Sequence, residues 1–141
     1  MDEKPWQRHY DYSTPTTIRY PRLAVHDLLG IPANACPDKA ALTYFGTEMT
    51  FWELRLQVLR FANALGALGI QKGERVGIQL PNCPQYPIAY YAVLSIGAIV
   101  VNLNPMYTAE ELKMTALATG MTTLVTFDMV LPAVRALCKE V

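Results

Sequence analysis

The sequence predicts an α/β fold built on a partial parallel sheet. An apolar strand from Val76 to Leu80 is followed by a helix to about Ile96, a turn at Gly97 and a second apolar strand from Ala98 to Leu103. A helix of about a dozen residues can bring two such strands side by side only as a right-handed parallel crossover. A β-branched segment from Thr122 to Phe127 follows a further helical stretch and predicts a third parallel strand. We therefore expect three layers, with the sheet flanked by helices and a small β-hairpin beside it.

Composition limits the classes of protein that this chain can belong to. Its 141 residues suit one domain, and 52% hydrophobic with 17% charged residues is enough to bury a core. Twelve basic and twelve acidic residues give a net charge of zero, so no overall field attracts nucleic acid or anionic lipid. The polar start does not resemble a signal peptide, and no apolar run reaches the ~18 residues of a membrane span. We expect a cytoplasmic protein, with peripheral membrane contact left open for a longer parent.

The cysteines predict neither a metal site nor a disulfide. Cys36, Cys83 and Cys138 are an odd number, lie far apart and form no C-x-x-C pair. No histidine stands at metal-ligand spacing from them. We expect three free thiols in a reducing compartment and no metal-binding residue.

Residues 1–22 are predicted to form an extended N-terminal arm, and residues 23–141 an incomplete α/β subdomain. The arm is rich in proline, threonine and aromatic residues and has neither helical nor strand periodicity. Its expected anchors are Trp6, Tyr10, Tyr12 and Tyr20. His9 and Asp11 are close in sequence, but solvated side chains account for them without a catalytic dyad.

Two elements precede the parallel sheet. Residues from Leu23 to Cys36 have a broadly helical rhythm, which Gly30 and Pro32 are expected to bend. Next, Ala40 to Phe45 and Met49 to Phe51 predict a hairpin outside the parallel sheet.

Two capping boxes mark helix starts. Thr50 with Glu53 and Thr108 with Glu111 both fit the T-x-x-E pattern, in which each side chain bonds the other residue's amide. The second helix should reach about Thr119, before Gly120. The first should end near Gly66 and Gly69, with a core-facing stripe made of Leu54, Val58, Phe61, Leu65 and Leu68.

The loops at the carboxyl ends of the strands are the expected place for a ligand, although the signal is weak. Asn82 follows the first parallel strand and is predicted to cap the next helix, whose free amides would suit an anion. No glycine-rich phosphate-binding motif is present. Asp128 follows the third strand and is predicted to cap a final helix that runs to Val141, which accounts for it without a ligand. The helix from Ile88 to Ile96 is apolar on most sides, which predicts a partner that covers it.

Three segments resemble the opening motifs of the adenylate-forming enzymes, specifically the fatty acyl-CoA synthetases. They are TFWEL from Thr50, KGERVGIQLPNCPQY from Lys72 and GAIVVNLNPMYTAEEL from Gly97. The Asn-Pro-Met-Tyr-Thr run at 104–108 is typical of the fatty acyl branch. The resemblance extends over essentially the whole chain and implies the N-terminal subdomain of that fold.

The resemblance implies a two-step ligase. ATP and a fatty acid would give an acyl-adenylate and pyrophosphate, and coenzyme A would then displace AMP to give the thioester. Such a parent requires Mg²⁺ and cationic groups on the phosphates. The family's phosphate loop, its Tyr-Gly-x-Thr-Glu motif, its ribose-binding Asp and its C-terminal lysine are absent from residues 1–141. No catalytic, cofactor-binding or metal-binding residue is therefore predicted, and this chain alone is expected to be inactive.

Two alternatives remain open at the level of the sequence. One is a stand-alone α/β binding module, which should cover the apolar helix that a severed fragment would expose. The other keeps the ligase but changes the acid to an aryl or short acyl substrate. A homodimer through the arm or through the apolar helix is the remaining partner hypothesis.

Overall fold

A computed structural model describes residues 4–137. Cys138, predicted to be a free thiol, and the predicted continuation of the last helix to Val141 lie outside these residues. Cys36 and Cys83 are free thiols, and both are half-buried.

The chain between residues 4 and 137 alternates strands and helices from β3 onward, as the sequence predicts. The strands are β1 (Ala40–Tyr44), β2 (Thr47–Thr50), β3 (Arg75–Gln79), β4 (Ile99–Asn102) and β5 (Thr123–Thr126). The helices are α1 (Asp27–Ala35), α2 (Phe51–Ala67), α3 (Gln85–Ser95), α4 (Ala109–Thr119) and α5 (Leu131–Leu137). Short 3-10 turns occupy Pro5–His9 in the arm and Asp128–Val130 before α5.

The three later strands form a parallel sheet in the order β4-β3-β5. Val76 of β3 pairs with Val100 on one side and with Thr123 on the other, and both pairings are parallel. The predicted α/β class with a partial parallel sheet is confirmed.

The predicted hairpin forms a separate antiparallel sheet of β1 and β2. Its first strand ends at Tyr44 and not at Phe45, because Phe45 and Gly46 both have positive φ angles, of 46° and 79°. Two such residues make a turn whose twist matches that of the flanking strands. An aromatic residue rarely adopts this conformation, and Phe45 is also 91% exposed.

Strand β3 is buried on both faces. Val76 and Ile78, both fully buried, point into a core that α2 and α3 cover with residues such as Ala92. The opposite face of the sheet carries a second, smaller core in which Leu112 of α4 and Val134 of α5 meet. The helices therefore lie on both faces, as in doubly wound folds.

Both predicted capping boxes are confirmed. The Glu53 carboxylate accepts the Thr50 backbone N–H at 2.9 Å, and the Thr50 hydroxyl accepts the Glu53 N–H at 3.2 Å. Thr108 and Glu111 make the same exchange at the start of α4. Gly120 ends α4, as the sequence predicts, and its φ of 67° is the left-handed conformation common at helix C-termini.

Three local predictions are wrong. Leu68 is 77% exposed because α2 ends at Ala67, and Ala62 occupies the core in its place. Asn82 does not cap α3, because the helix begins three residues later with Pro84 as its N-cap and without a side-chain cap. Asp128 does not cap α5 either, since its carboxylate accepts the adjacent N–H of Met129 at 3.0 Å within the 3-10 turn.

The exposed apolar surface is not where the sequence predicts it. The apolar side chains of α3 are buried or half-buried against the core. Large exposed side chains lie instead on α1 (Leu28 and Ile31) and on α4 (Met114 and Leu117). The arm's expected anchors are also exposed, with Trp6, Tyr10, Tyr12 and Tyr20 at 56%, 43%, 101% and 80%. Among residues 4–137, no helix has both the length and the apolar character that crossing a bilayer requires.

Gly77 in the centre of β3 is expected to tolerate no larger residue. A Cβ there would lie 2.6 Å from Met121 Sδ and 3.0 Å from the Leu103 and Leu124 Cδ1 atoms. We expect Gly77→Val to lower the free energy of unfolding by about 1–3 kcal/mol through overpacking, measured by urea denaturation. Gly66→Ala, in α2 with open space around it, is the control and should be neutral or stabilising. Equal stability of both variants would contradict the packing account.

The capping boxes predict an acid-sensitive contribution to stability. The pKa of Glu111 is lowered from 4.5, first by the Thr108 backbone N–H and then by its hydroxyl. A carboxyl with a lowered folded-state pKa stabilises the fold fully above its unfolded pKa, and this stabilisation is lost as the pH falls through the folded value. Glu111→Gln keeps an acceptor that does not titrate. We therefore expect this variant to lose less stability than the unsubstituted protein when the pH falls below 4.5, and thermal unfolding at a series of pH values measures this loss. Glu110→Gln, which removes a neighbouring charge and leaves both hydrogen bonds of the box in place, is the control for the loss of a charge.

Candidate functional site at the carboxyl edge of the sheet

The carboxyl ends of the three parallel strands meet at one edge of the sheet, as parallel pairing requires. A cavity of about 390 Å³ opens there between the α2–α3 layer and the end of β5. The residues that line this edge cavity are Phe61, Leu80, Pro81, Cys83, Gln85, Ile88, Ala89, Val125, Thr126, Phe127 and Asp128. Most of them are apolar, so the cavity suits an apolar group.

Gln79 is the buried polar side chain at this edge. It is 1% exposed at the end of the central strand, between the two neighbouring strands. Its amide nitrogen donates to the Asn104 carbonyl at 3.5 Å, and its amide oxygen accepts from the Thr126 hydroxyl at 3.4 Å. These long hydrogen bonds join the end of β3 to the loop after β4 and to the end of β5. Gln79 is not among the residues predicted from the sequence, although a glutamine inside the apolar run VGIQL is a visible signal.

The asparagines of the NLNP segment bond within the protein. The Tyr86 hydroxyl on α3 donates to Asn102 Oδ1 at 2.9 Å, and Asn104 Oδ1 accepts the Met106 N–H at 2.9 Å. The Tyr86 ring also stacks on Tyr90, with centroids 6.2 Å apart. These contacts shape the loop before α4 and account for the residues of the motif without a ligand.

The edge cavity has few groups that could perform chemistry. Among the described residues that line it, Cys83 and Asp128 are the ionisable side chains, and none is a lysine, arginine or histidine. In the part of the chain that the structure describes, no three His, Cys, Asp or Glu side chains cluster in a way that could hold a metal ion. Asn82, which was expected to lie near a ligand, is exposed and borders a shallower groove beside the hairpin. His9 and Asp11 are both exposed on the arm.

A second cavity, of about 530 Å³, lies between α1 and α2 and includes Leu29 and Val58. Two of its polar residues bond to each other, since Arg55 Nη1 donates to Asn34 Oδ1 at 2.6 Å. None of its described lining residues belongs to a strand or to the loops at the carboxyl ends of the parallel strands. The edge cavity is therefore the better candidate for a site, because open parallel sheets bind ligands at their carboxyl edge.

The chain forms a doubly wound α/β unit. This class is defined by the order of its strands, by helices on both faces of the sheet and by a cavity at the carboxyl edge. The family model for "AMP-binding enzyme" matches residues 31–141. The chain belongs to this family, and the resemblance to adenylate-forming enzymes is confirmed.

Two relatives and one solved structure illustrate the similarity. The chain is 37% identical over 132 residues to a long-chain-fatty-acid–CoA ligase of Bacillus subtilis (strain 168), covering 94% of this chain and 24% of that protein. It is 41% identical over 115 residues to a protein of the same name from Yersinia pestis, covering 79% and 20%. Its fold is similar to the NpsA N-terminal subdomain of Klebsiella oxytoca in complex with 3-hydroxybenzoyl-AMSN, with a TM-score of 0.72, 28% identity and coverage of 74% and 27%. The chain thus spans about a quarter or less of the length of these ligases, and about a quarter of the NpsA N-terminal subdomain.

Gln79 is expected to tolerate an apolar isostere better than a charge. Gln79→Glu replaces the donor that faces the Asn104 carbonyl with a buried carboxylate. We therefore expect it to lower the free energy of unfolding by roughly 2 kcal/mol or more at pH 7. Gln79→Met removes both hydrogen bonds without adding a charge and should cost only about 1 kcal/mol. Urea denaturation at pH 7 and at pH 5 measures the free energy of unfolding of both variants. The difference between them should be smaller at pH 5, because the carboxyl group that Gln79→Glu introduces becomes protonated. Equal stability of the two variants at pH 7 would contradict the buried placement of Gln79.

Proposed function

We propose that this chain is the N-terminal, non-catalytic part of a fatty-acid–CoA ligase. The parent enzyme would convert ATP, a fatty acid and coenzyme A into acyl-CoA, AMP and pyrophosphate through an acyl-adenylate. The observation that carries the proposal is the 37–41% identity to proteins named long-chain-fatty-acid–CoA ligase over most of this chain.

The described residues support a scaffolding role within that enzyme. ATP carries several negative charges, which ligases neutralise with Mg²⁺ and cationic side chains. None of the described residues that line the edge cavity is basic, and residues 4–137 contain no carboxylate cluster that could hold Mg²⁺. The residues present therefore do not fit ATP and Mg²⁺, and we assign no catalytic step to them. Their contribution is the parallel sheet and the edge loops, held in place by Gln79 and Tyr86.

Two other functions each have one observation in their favour. The structural similarity to an N-terminal subdomain bound to a 3-hydroxybenzoyl ligand favours an aryl acid as the substrate of the parent enzyme. The cover over α3 favours a stand-alone binding module, because a self-sufficient module should bury that helix. The exposed apolar residues of α1 and α4 weigh against the module, since they leave apolar surface for further protein to cover.

The test begins by translating the reading frame beyond codon 141. ATP–pyrophosphate exchange that depends on an added carboxylic acid is then measured with residues 1–141 and with the longer product. We expect the frame to continue, the longer product to catalyse exchange with palmitate, and residues 1–141 alone to show no exchange above background. The substrate panel contains palmitate, butyrate and benzoate, which separates the fatty acyl from the short acyl and aryl alternatives.

Three outcomes would count against the proposal. Exchange by residues 1–141 alone would place catalytic groups in this chain. Exchange with benzoate and none with palmitate would move the parent to the aryl class. A stop codon directly after Val141 would exclude the ligase for this polypeptide and favour the binding module.

A further inference from the structure

The cavity between α1 and α2 has no part in the proposed function. Its volume of about 530 Å³ falls in the range of about 300–1,000 Å³ that is typical of small-molecule sites. Leu29 and Val58, both buried, lie among its walls, and Leu23 and Leu59 line it while remaining 50% and 47% exposed. These walls suit an apolar chain, because a chain that covered them would remove apolar surface from water.

Arg55 gives this cavity a cationic side chain without an acidic partner. It lies on α2, one turn before Val58 and Leu59, and is half-buried. Among residues 4–137, its guanidinium group donates to the neutral amide of Asn34 at 2.6 Å and forms no ion pair with a carboxylate. An arginine withdrawn from water usually has an anionic partner, and its planar group matches the two oxygens of a carboxylate. The guanidinium nitrogens that Asn34 does not engage can therefore bind an anion.

The carboxylate that lines the cavity does not neutralise Arg55. Asp27 and Asn34 stand at opposite ends of α1, roughly 10 Å apart along the helix axis. One oxygen of Asp27 is 3.6 Å from His26 Nε2, and the other accepts the Ala24 N–H at 3.1 Å. The two ends of the cavity thus differ, with an unneutralised cation beside Asn34 and a locally bonded carboxylate at the start of α1.

Gly30 keeps the cavity open between these two ends. It lies in the interior of α1 and lines the cavity. A Cβ at this position would meet no heavy atom within 4 Å, so the space beside the backbone is open. Glycine is less favourable than alanine in a helix interior, so helix stability does not account for its presence here. The missing side chain leaves room for a bound chain along α1.

We propose that the α1–α2 cavity binds a fatty acid at a site separate from the edge cavity. The carboxylate of the ligand accepts hydrogen bonds from Arg55, and its unbranched apolar chain passes Gly30 and lies against Leu29 and Val58. This ligand supplies the anion that Arg55 lacks and covers the apolar walls at the same time. An apolar protein segment would cover the walls and leave the guanidinium group unpaired. The inference does not rest on the proposed ligase activity, because every residue of the site belongs to this chain.

Binding of decanoate to the 141-residue chain tests the site. Isothermal titration calorimetry compares decanoate with decanol, which has the same chain without the charge, and with butyrate, which has the charge on a short chain. We expect one equivalent of decanoate to bind at least about tenfold more tightly than either, because the site recognises both charge and chain. Binding in the edge cavity would not favour the carboxylate, since none of the described residues that line that cavity is basic.

Two variants alter the two parts of the site. Arg55→Gln keeps a donor for Asn34 and removes the charge, so decanoate and decanol should bind to it with similar affinities. Gly30→Leu places a side chain at the cavity wall and should weaken decanoate binding by at least about tenfold, while leucine favours the helix more than glycine does. Gly66→Leu is the matched control, because Gly66 lies in α2 with open space around it and is not among the described residues that line the cavity. It should bind decanoate as the unsubstituted chain does.

Each outcome decides the proposal. A preference for decanoate that Arg55→Gln abolishes, with binding that Gly30→Leu weakens, supports the site. Equal binding of decanoate and decanol, binding that Gly30→Leu leaves unchanged, or no binding to the 141-residue chain overturns it. Binding that becomes insensitive to Gly30→Leu in the product of the whole reading frame would make later polypeptide the occupant of the cavity and would also overturn the inference. None of these results depends on ATP–pyrophosphate exchange, so the ligase proposal stands or fails separately.

Discussion

The rest of the structure depends on the parallel pairing of β3 with strands on both of its sides. A central parallel strand exposes neither face to water, so it requires apolar residues on both faces and helices over each of them. Val76 and Ile78 fill the larger core, and Gly77 between them allows Met121, Leu103 and Leu124 to approach closely from the other side. The crossover helices α3 and α4 lie over opposite faces of the sheet, because β4 and β5 pair with opposite sides of β3. The result is three layers, with the sheet between two layers of helices.

Parallel pairing also brings together the sheet edge that holds the candidate site. Segments separated by many residues end at the same place because all three strands run in one direction. Gln79 bonds to Asn104 and Thr126 there, although these partners are 25 and 47 residues away in sequence. A polar side chain inside the core is costly unless it is bonded, so this network constrains how the three strand ends are arranged. A parent enzyme would gain a rigid edge from it, on which later parts of the polypeptide can be built.

The distribution of polar and apolar groups fits a unit that supports chemistry elsewhere. The edge cavity is apolar, and none of the described residues that line it has the cationic side chain that a nucleoside triphosphate requires. Apolar residues on α1 and α4 remain exposed, whereas α3 is covered. Membership of the AMP-binding family and the small share of the relatives' length that this chain covers agree with such a supporting role.

The sequence by itself determined the local features of this protein. Capping boxes form between residues three apart, and helical or strand periodicity depends on neighbouring residues, so Thr50 with Glu53, Gly120 and the parallel strands could be predicted. The family motifs were equally visible in the residues. Only the tertiary structure decided the strand order β4-β3-β5, the position of Leu68 outside the core, the start of α3 after Asn82, and the partners of Gln79. These features depend on contacts between distant segments, whose free energies no local pattern of residues encodes.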